Sequence, residues 1–161
     1  MRDSYFDVAQ ICQNGHVTNA MAHDYPDSNE DFCALCGAPT IVACPSCRTA
    51  IRGYFHVSGV FGGGYDAPSY CHKCGQPFPW TASRLRAARD LADELENLTD
   101  EERESLKNSL TELTRETPET RLAETRFKRI MRKVGADGYD AMRAILTEIV
   151  SETVRKTLFG M

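Results

Sequence analysis

A chain of 161 residues has room for one medium domain or two small ones, and its 42% hydrophobic and 26% charged residues are ordinary for a globular protein. Its formal net charge of -4 argues against a general nucleic-acid binder. No apolar run approaches the ~20 residues of a membrane-spanning helix, and the first residues lack the apolar stretch of a signal peptide.

The expected compartment is therefore the cytoplasm, where thiols stay reduced and clustered cysteines bind metal more often than they pair. An odd count of seven cysteines agrees, because disulfides alone would strand one thiol. All seven cysteines and all four histidines lie at or before Cys74. The first candidate pair is Cys12-Gln13-Asn14-Gly15-His16, where Asn14-Gly15 is a tight-turn dipeptide. Cys33-Ala34-Leu35-Cys36 comes next, and Gly37 behind it supplies the positive φ such a knuckle uses. Thr40-Ile41-Val42-Ala43 reads as a short strand, Cys44-Pro45-Ser46-Cys47 as the next knuckle, and Ile51 to Val57 as a second strand.

Phe61 to Tyr70 contains Gly62-Gly63-Gly64 without the Lys-Ser/Thr of a phosphate loop. It reads as a mobile hairpin tip, with Phe61, Tyr65 and Tyr70 offering a place for a partner to dock. Cys71-His72-Lys73-Cys74-Gly75 is the last knuckle, and Pro77-Phe78-Pro79-Trp80 marks the boundary between the cysteine-rich half and a helical half.

Beyond that boundary the pattern predicts about four helices. The first takes Thr81 as N-cap, with Trp80 and Leu85 as a hydrophobic staple and Leu85, Ala88, Leu91, Ala92, Leu95 and Leu98 as its stripe. Thr99-Asp100-Glu101-Glu102 opens the second as a capping box, with Leu106, Leu110 and Leu113 inward. Thr117-Pro118 opens the third, followed by Leu122, Ala123, Phe127, Ile130, Met131 and Val134, with Gly135 as its stop. The fourth runs from about Tyr139 to Leu158, with Met142, Ile145, Leu146, Ile149, Val150 and Val154 inward. Such stripes must be buried, which implies a small bundle or a helical dimer. Ordinary core packing accounts for them without a cofactor.

Three C-x-x-C pairs and one C-x3-H pair supply eight ligands, enough for two tetrahedral zinc sites. Sequential pairing gives Cys12, His16, Cys33 and Cys36 for one ion and Cys44, Cys47, Cys71 and Cys74 for the other. Each set is a knuckle, a hairpin and a second knuckle, the plan of a zinc ribbon. A cross-brace, joining the first pair to the third and the second to the fourth, is the rival arrangement, and His23 is an alternative to His16. Iron–sulfur ligation is disfavoured by the histidine and the knuckle glycines. A thioredoxin-like site needs one C-x-x-C in a βαβ setting.

With all eight ligands used, both sites are closed and structural rather than catalytic. His72 inside a knuckle and His56 in a strand read as surface or packing residues. The helical half has no histidine to serve as a base, so no nucleophile-and-base arrangement is available there.

Residues 1–80 carry four Lys/Arg (Arg2, Arg48, Arg52, Lys73) against seven Asp/Glu, and residues 81–161 carry fifteen against sixteen. The densest cationic run is Arg121, Arg126, Lys128, Arg129, Arg132 and Lys133 on the third helix. It reads as a solvated face, with phosphate binding or contact with an acidic partner as the functional alternatives.

Several segments together resemble a known family: Tyr5-Phe6-Asp7-Val8-Ala9-Gln10-Ile11-Cys12, Asn14-Gly15-His16, Phe32-Cys33, Ile51-Arg52-Gly53-Tyr54, Pro68-Ser69-Tyr70-Cys71 and Pro77-Phe78-Pro79-Trp80. They are similar to an uncharacterised bacterial double-zinc-ribbon family known as a domain of unknown function, and the likeness runs through the helical tail. The resemblance implies a bacterial or phage protein and supports the eight ligands, but implies no activity. The expected architecture is a small zinc-stabilised β domain of tandem zinc ribbons at 1–80, then an all-α helical domain at 81–161. The expected function is a zinc-binding interaction or adaptor protein with two structural zincs and no activity of its own, meeting a protein partner or itself through the helical half. The alternative is a nucleic-acid-binding regulator using the basic face of the third helix.

Overall fold

The computed structural model describes residues 3–161. The chain divides into two compact units, one ending at Thr81 and the other spanning Ala82–Met161.

The first unit is built from short strands. β1 (Ser4–Val8) pairs antiparallel with β5 (Arg52–Val57), matching Tyr5 with His56 and Phe6 with Phe55. These cross-strand pairs hold the ribbon together: the Tyr5 and His56 rings stack at 4.6 Å, and Phe6 meets Phe55 at 4.6 Å. A register shift between Phe6 and Val8 places a bulge at Asp7, whose side chain is buried. β2 (Gln10–Cys12) lies between β3 (Val17–Asn19) and β4 (Thr40–Ile41) in a second sheet of three strands. The expected strand starting at Thr40 is thus only two residues long, and β5 begins one residue after Ile51. β1, β2 and β3 carry no alternating pattern long enough to announce them, and tertiary pairing makes them strands.

Ala9, Ile11, Ile51, Phe78 and Trp80 form the small core of this unit together with Cys44 and Cys71. Trp80 stacks on Phe78 at 4.7 Å and donates its indole N–H to the Pro68 carbonyl at 2.8 Å. Gly53 is required for steric reasons: a Cβ there would lie 2.3 Å from the Ala20 carbonyl oxygen and 2.7 Å from the Val8 carbonyl carbon.

The segment from Phe61 to Tyr70 is not a free hairpin tip. Tyr65 and Ala67 pack against the core, the Tyr65 hydroxyl donates to the Arg52 carbonyl at 2.5 Å, and the Tyr54 hydroxyl donates to the Gly62 carbonyl at 2.9 Å. Phe61 alone of its aromatics stands in solvent, 97% exposed.

The second unit holds five helices where four were expected. α1 (Pro79–Glu94) starts in the first unit, at Pro79, so Thr81 is not its N-cap. The proline is pre-set for a first helical turn, and the buried Thr81 hydroxyl donates to the Ser69 carbonyl at 2.8 Å. α1 also stops before Leu95 and Leu98, which stay buried in the turn beyond it. Asn97 takes a left-handed φ of 65° there, and Arg103 donates to the Leu95 carbonyl at 2.7 Å.

α2 (Asp100–Leu113) begins with the expected reciprocal box between Thr99 and Glu102. α3 (Pro118–Met131) has Pro118 in its first turn, but Leu122 points outward and is 51% exposed. Gly135 does not end α3; it is the N-cap of α4 (Ala136–Leu146). The expected fourth helix is two: after α4, the Ser151 side chain accepts from the Val154 N–H and opens α5 (Glu152–Phe159). Ile149 and Val150 keep their inward positions in the intervening turn. Burial followed the apolar period, while the break came from the Ser151 cap.

Candidate metal centres

Three of the four candidate pairs are the same turn made from different sequences. In each, the first cysteine's N–H bonds across to the residue five places on: Cys33 to the Ala38 carbonyl at 2.8 Å, Cys44 to Thr49 at 2.8 Å and Cys71 to Gln76 at 2.9 Å. Isolated bridges Phe32–Pro39, Ala43–Ala50 and Tyr70–Pro77 close these turns. The residue four places after the first cysteine donates back to it and takes a left-handed φ: 73° at Gly37, 74° at Gly75 and 64° at Arg48. Arg48 therefore occupies a glycine's position, which costs an L-residue about 1–2 kcal/mol.

The fourth pair uses one more residue. Gly15 has φ 91°, the Cys12 N–H reaches the His16 carbonyl at 3.0 Å, and a Cβ on Gly15 would lie 3.0 Å from the Trp80 Cβ.

The turns bring the donors together in the sequential order. Cys12, His16, Cys33 and Cys36 form one group, and Cys44, Cys47, Cys71 and Cys74 another, with all donor atoms of a group within 4.8 Å of one another. The sulfurs of Cys12 and Cys36 are 3.7 Å apart, those of Cys44 and Cys74 3.8 Å, and those of Cys47 and Cys71 3.7 Å. His16 Nδ1 is 3.5 Å from both Cys12 and Cys33 Sγ. A tetrahedral ion with Zn–S bonds of about 2.3 Å needs sulfurs about 3.8 Å apart, and a nitrogen ligand about 3.6 Å from each sulfur. A disulfide would need about 2.05 Å. The donor spacing thus fits a four-coordinate zinc in both groups, with no cysteine paired to another.

Donors to sulfur complete the inner surroundings. The His16 N–H lies 3.3 Å from Cys12 Sγ, the Asn14 amide 3.3 Å from Cys36 Sγ and the Lys73 N–H 3.4 Å from Cys71 Sγ. The Asn14 amide, then the Ala38 N–H, hold the Cys36 thiol down to about 6, and the Thr49 hydroxyl and N–H do the same for Cys47, also to about 6. Those two thiols have the thiolate-favouring surroundings a metal ligand needs. Burial pushes the Cys12 thiol up, and at Cys74 the Gln76 N–H is outweighed by burial and the neighbouring sulfurs, which push the thiol up to about 11.

His23 is not part of either group. Its ring lies 3.0 Å from Asp24, and His56 lies 3.3 Å from Asp7, so the two belong to a separate Asp/His cluster. No spacing in the sequence signals that cluster, because its members come from the β1 bulge, a turn and β5. His72 sits exposed inside its knuckle. The six cations Arg121, Arg126, Lys128, Arg129, Arg132 and Lys133 are all exposed on or just beyond α3, and Lys133 pairs with Glu102 of α2.

A small β unit carrying two complete Cys/His donor sets, continued by an all-α unit, is the class that fold and site define. The chain belongs to the DUF2321 family, described as an uncharacterised protein conserved in bacteria, whose model matches residues 5–158. No curated protein and no solved structure matches it. No helix among the described residues is long and apolar enough to cross a membrane.

Proposed function

We propose that this is a zinc-binding interaction or adaptor protein, with its eight ligands arranged as tandem zinc ribbons around two structural ions and no catalytic activity of its own. The observation that carries this reading is the completeness of both donor sets: four donors at tetrahedral spacing in each leave no coordination position for water or substrate. The helical unit is the expected place for self-association or a partner. Most of its apolar stripes are spent on its own core, however, and its exposed large apolar side chains are only Leu122 and Met161. The β unit is better supplied, with Phe6, Phe32, Phe55 and Phe61 all exposed.

Native mass spectrometry with elemental analysis tests the reading on freshly purified protein. Two zincs that withstand exchange into metal-free buffer, with a second copy or a co-purified protein in the spectrum, support it. A strict monomer with no tightly held zinc, capturing nothing in pull-downs, overturns it.

A nucleic-acid-binding regulator is the second reading, favoured by the exposure of all six basic side chains of the α3 region. Charge reversal at Arg126, Arg129 and Lys133 should then abolish salt-sensitive binding to DNA or RNA. Unchanged binding, or none in the parent protein, removes this alternative.

A further inference from the structure

The bulge in β1 turns Asp7 inward, and its side chain is 0% exposed. One carboxylate oxygen, Oδ1, accepts from two backbone N–H groups, Val8 at 2.6 Å and His23 at 3.0 Å. The other, Oδ2, faces His56 Nε2 at 3.3 Å. That same nitrogen lies 3.6 Å from Asp24 Oδ2, and Asp24 Oδ1 lies 3.0 Å from His23 Nδ1. One donor atom from each of Asp7, His23 and Asp24 falls within 4.8 Å of the other two.

Hydrogen bonding serves the His56 side of this arrangement poorly. A single imidazole N–H cannot serve two carboxylates at 3.3 and 3.6 Å, and both distances exceed the usual range for an N–H···O bond. Two carboxylates this close, one fully buried, call for a cation. Among the described residues, neither Asp7 nor Asp24 has an ion pair with a lysine or arginine. An ion bound through oxygen and nitrogen at about 2.0–2.2 Å holds its donors about 3.3–3.6 Å apart; His56 Nε2 stands at that spacing from Asp7 and Asp24, while His23 Nδ1 is closer to Asp24, at 3.0 Å.

We propose that Asp7, His23 and Asp24, with His56 as a further donor beside the two carboxylates, form a third metal site, distinct from the two cysteine-rich groups, that takes one divalent first-row transition ion such as zinc through oxygen and nitrogen donors. The donor set lacks thiolate, so it selects ions that imidazole and carboxylate suit. The site is also more open: the side chains of His23, Asp24 and His56 are 77%, 28% and 26% exposed. Its ion therefore exchanges with solvent while the thiolate-bound ions stay. The Tyr5 hydroxyl donates to Asp24 Oδ2 at 2.6 Å and stacks its ring on His56, fixing two ligands from outside, as supporting residues do in metal sites. An ion here ties β1 and β5 to the turn at His23–Asp24. Tyr5 and His56 also line a neighbouring cleft of about 640 Å³ with Tyr25, Tyr54, Ser58 and Phe61, so the ion stiffens one wall of that cleft.

The test is zinc stoichiometry on the full chain, with an organomercurial to separate the two kinds of site. Blocking the thiols releases the ions held by the cysteine groups and leaves an ion held by oxygen and nitrogen. Under saturating free zinc the parent protein should hold three ions, of which two are released by the mercurial. His23→Ala and Asp24→Asn change exposed or half-exposed side chains. Each should hold two ions, both mercurial-releasable, with Trp80 fluorescence unchanged to show that the fold is intact. A parent protein that never takes a third ion, or variants that keep it, overturns the proposal. Failure of the mercurial to release two ions would instead count against the thiolate sites of the proposed function, so the two failures are distinguishable.

Discussion

Replacing Arg48 with glycine should make the protein more stable. Arg48 has φ 64° at the position that Gly37 and Gly75 occupy in the sister turns at 73° and 74°. Its side chain is exposed and enters no hydrogen bond or ion pair among the described residues, and its N–H bond to the Cys44 carbonyl at 2.8 Å is a backbone contact that glycine keeps. The left-handed conformation costs an L-residue about 1–2 kcal/mol, and glycine gives back about 0.5–1 kcal/mol through the greater freedom of its unfolded chain. The net gain is about 0.5–1 kcal/mol, a rise in melting temperature of about 2–8 °C for a unit of this size.

The assay is thermal unfolding followed by Trp80 fluorescence at fixed free zinc, since bound metal stabilises the folded state by mass action. Gly37→Ala is the mirror experiment. Nothing lies within 4 Å of a Cβ built there, so its expected loss of about 0.5–1 kcal/mol is conformational alone. Arg48→Gly without gain, together with a harmless Gly37→Ala, would refute the argument that these turns share one strained position.

Gly53→Ala should cost about 3 kcal/mol, the upper end for overpacking, because the added methyl meets the Ala20 and Val8 backbone, which cannot swing aside; near-native unfolding would show that β5 sits differently. Thr99→Ala should cost the α2 cap about 1 kcal/mol in denaturant unfolding monitored by far-UV circular dichroism. Glu102 in the same box has its carboxyl held below the ordinary range by Lys133, then by the Thr99 N–H. Its contribution is therefore present at neutral pH and lost as pH falls through the lowered folded-state value. Glu102→Gln should flatten that acid loss, and an unchanged pH profile would dismiss the ion pair. Chelation should shift Trp80 emission toward that of exposed tryptophan while most helical ellipticity remains; simultaneous loss of both signals would show that the helical unit has no stability of its own.

The two donor groups were legible because the knuckle is a local structure. Two residues between cysteines and a left-handed residue behind them are written consecutively, so Cys33–Gly37 and Cys71–Gly75 announce themselves. Arg48 did not, since only its place in the third repeat reveals the conformation. Burial along the helices was largely legible from period, with Leu106, Leu110 and Leu113 all fully buried, but Leu122 of the same pattern is exposed. Helix ends were less so: Pro79 started α1 ahead of Thr81, and the Ser151 cap divided a stripe whose apolar residues run on unbroken. The β1–β5 ribbon and the Asp7–His56 cluster were invisible. They depend on pairing between segments 49 residues apart, and on a bulge that no alternation predicts.

The two thiolate groups share a core, and this decides how metal and fold are linked. Cys44 and Cys71 of one group are buried in the same cluster as Phe78 and Trp80. From the other group, Gly15 between Cys12 and His16 sits so close to Trp80 that even a methyl would crowd its Cβ at 3.0 Å. The Tyr70–Pro77 bridge that closes the last knuckle runs directly into Phe78 and Trp80. Apart from its cysteines that cluster holds only five buried residues, two of them Ile11 in β2 and Ala9 just before that strand. Such a core is small for holding four turns, and on the proposed reading metal would supply the rest. On the proposed reading, an ion leaving either group would free a turn that meets Trp80 and so would loosen the other. Metal binding energy at each group would then be folding energy for both, and Trp80, stacked on Phe78, is where that linkage would pass from one to the other.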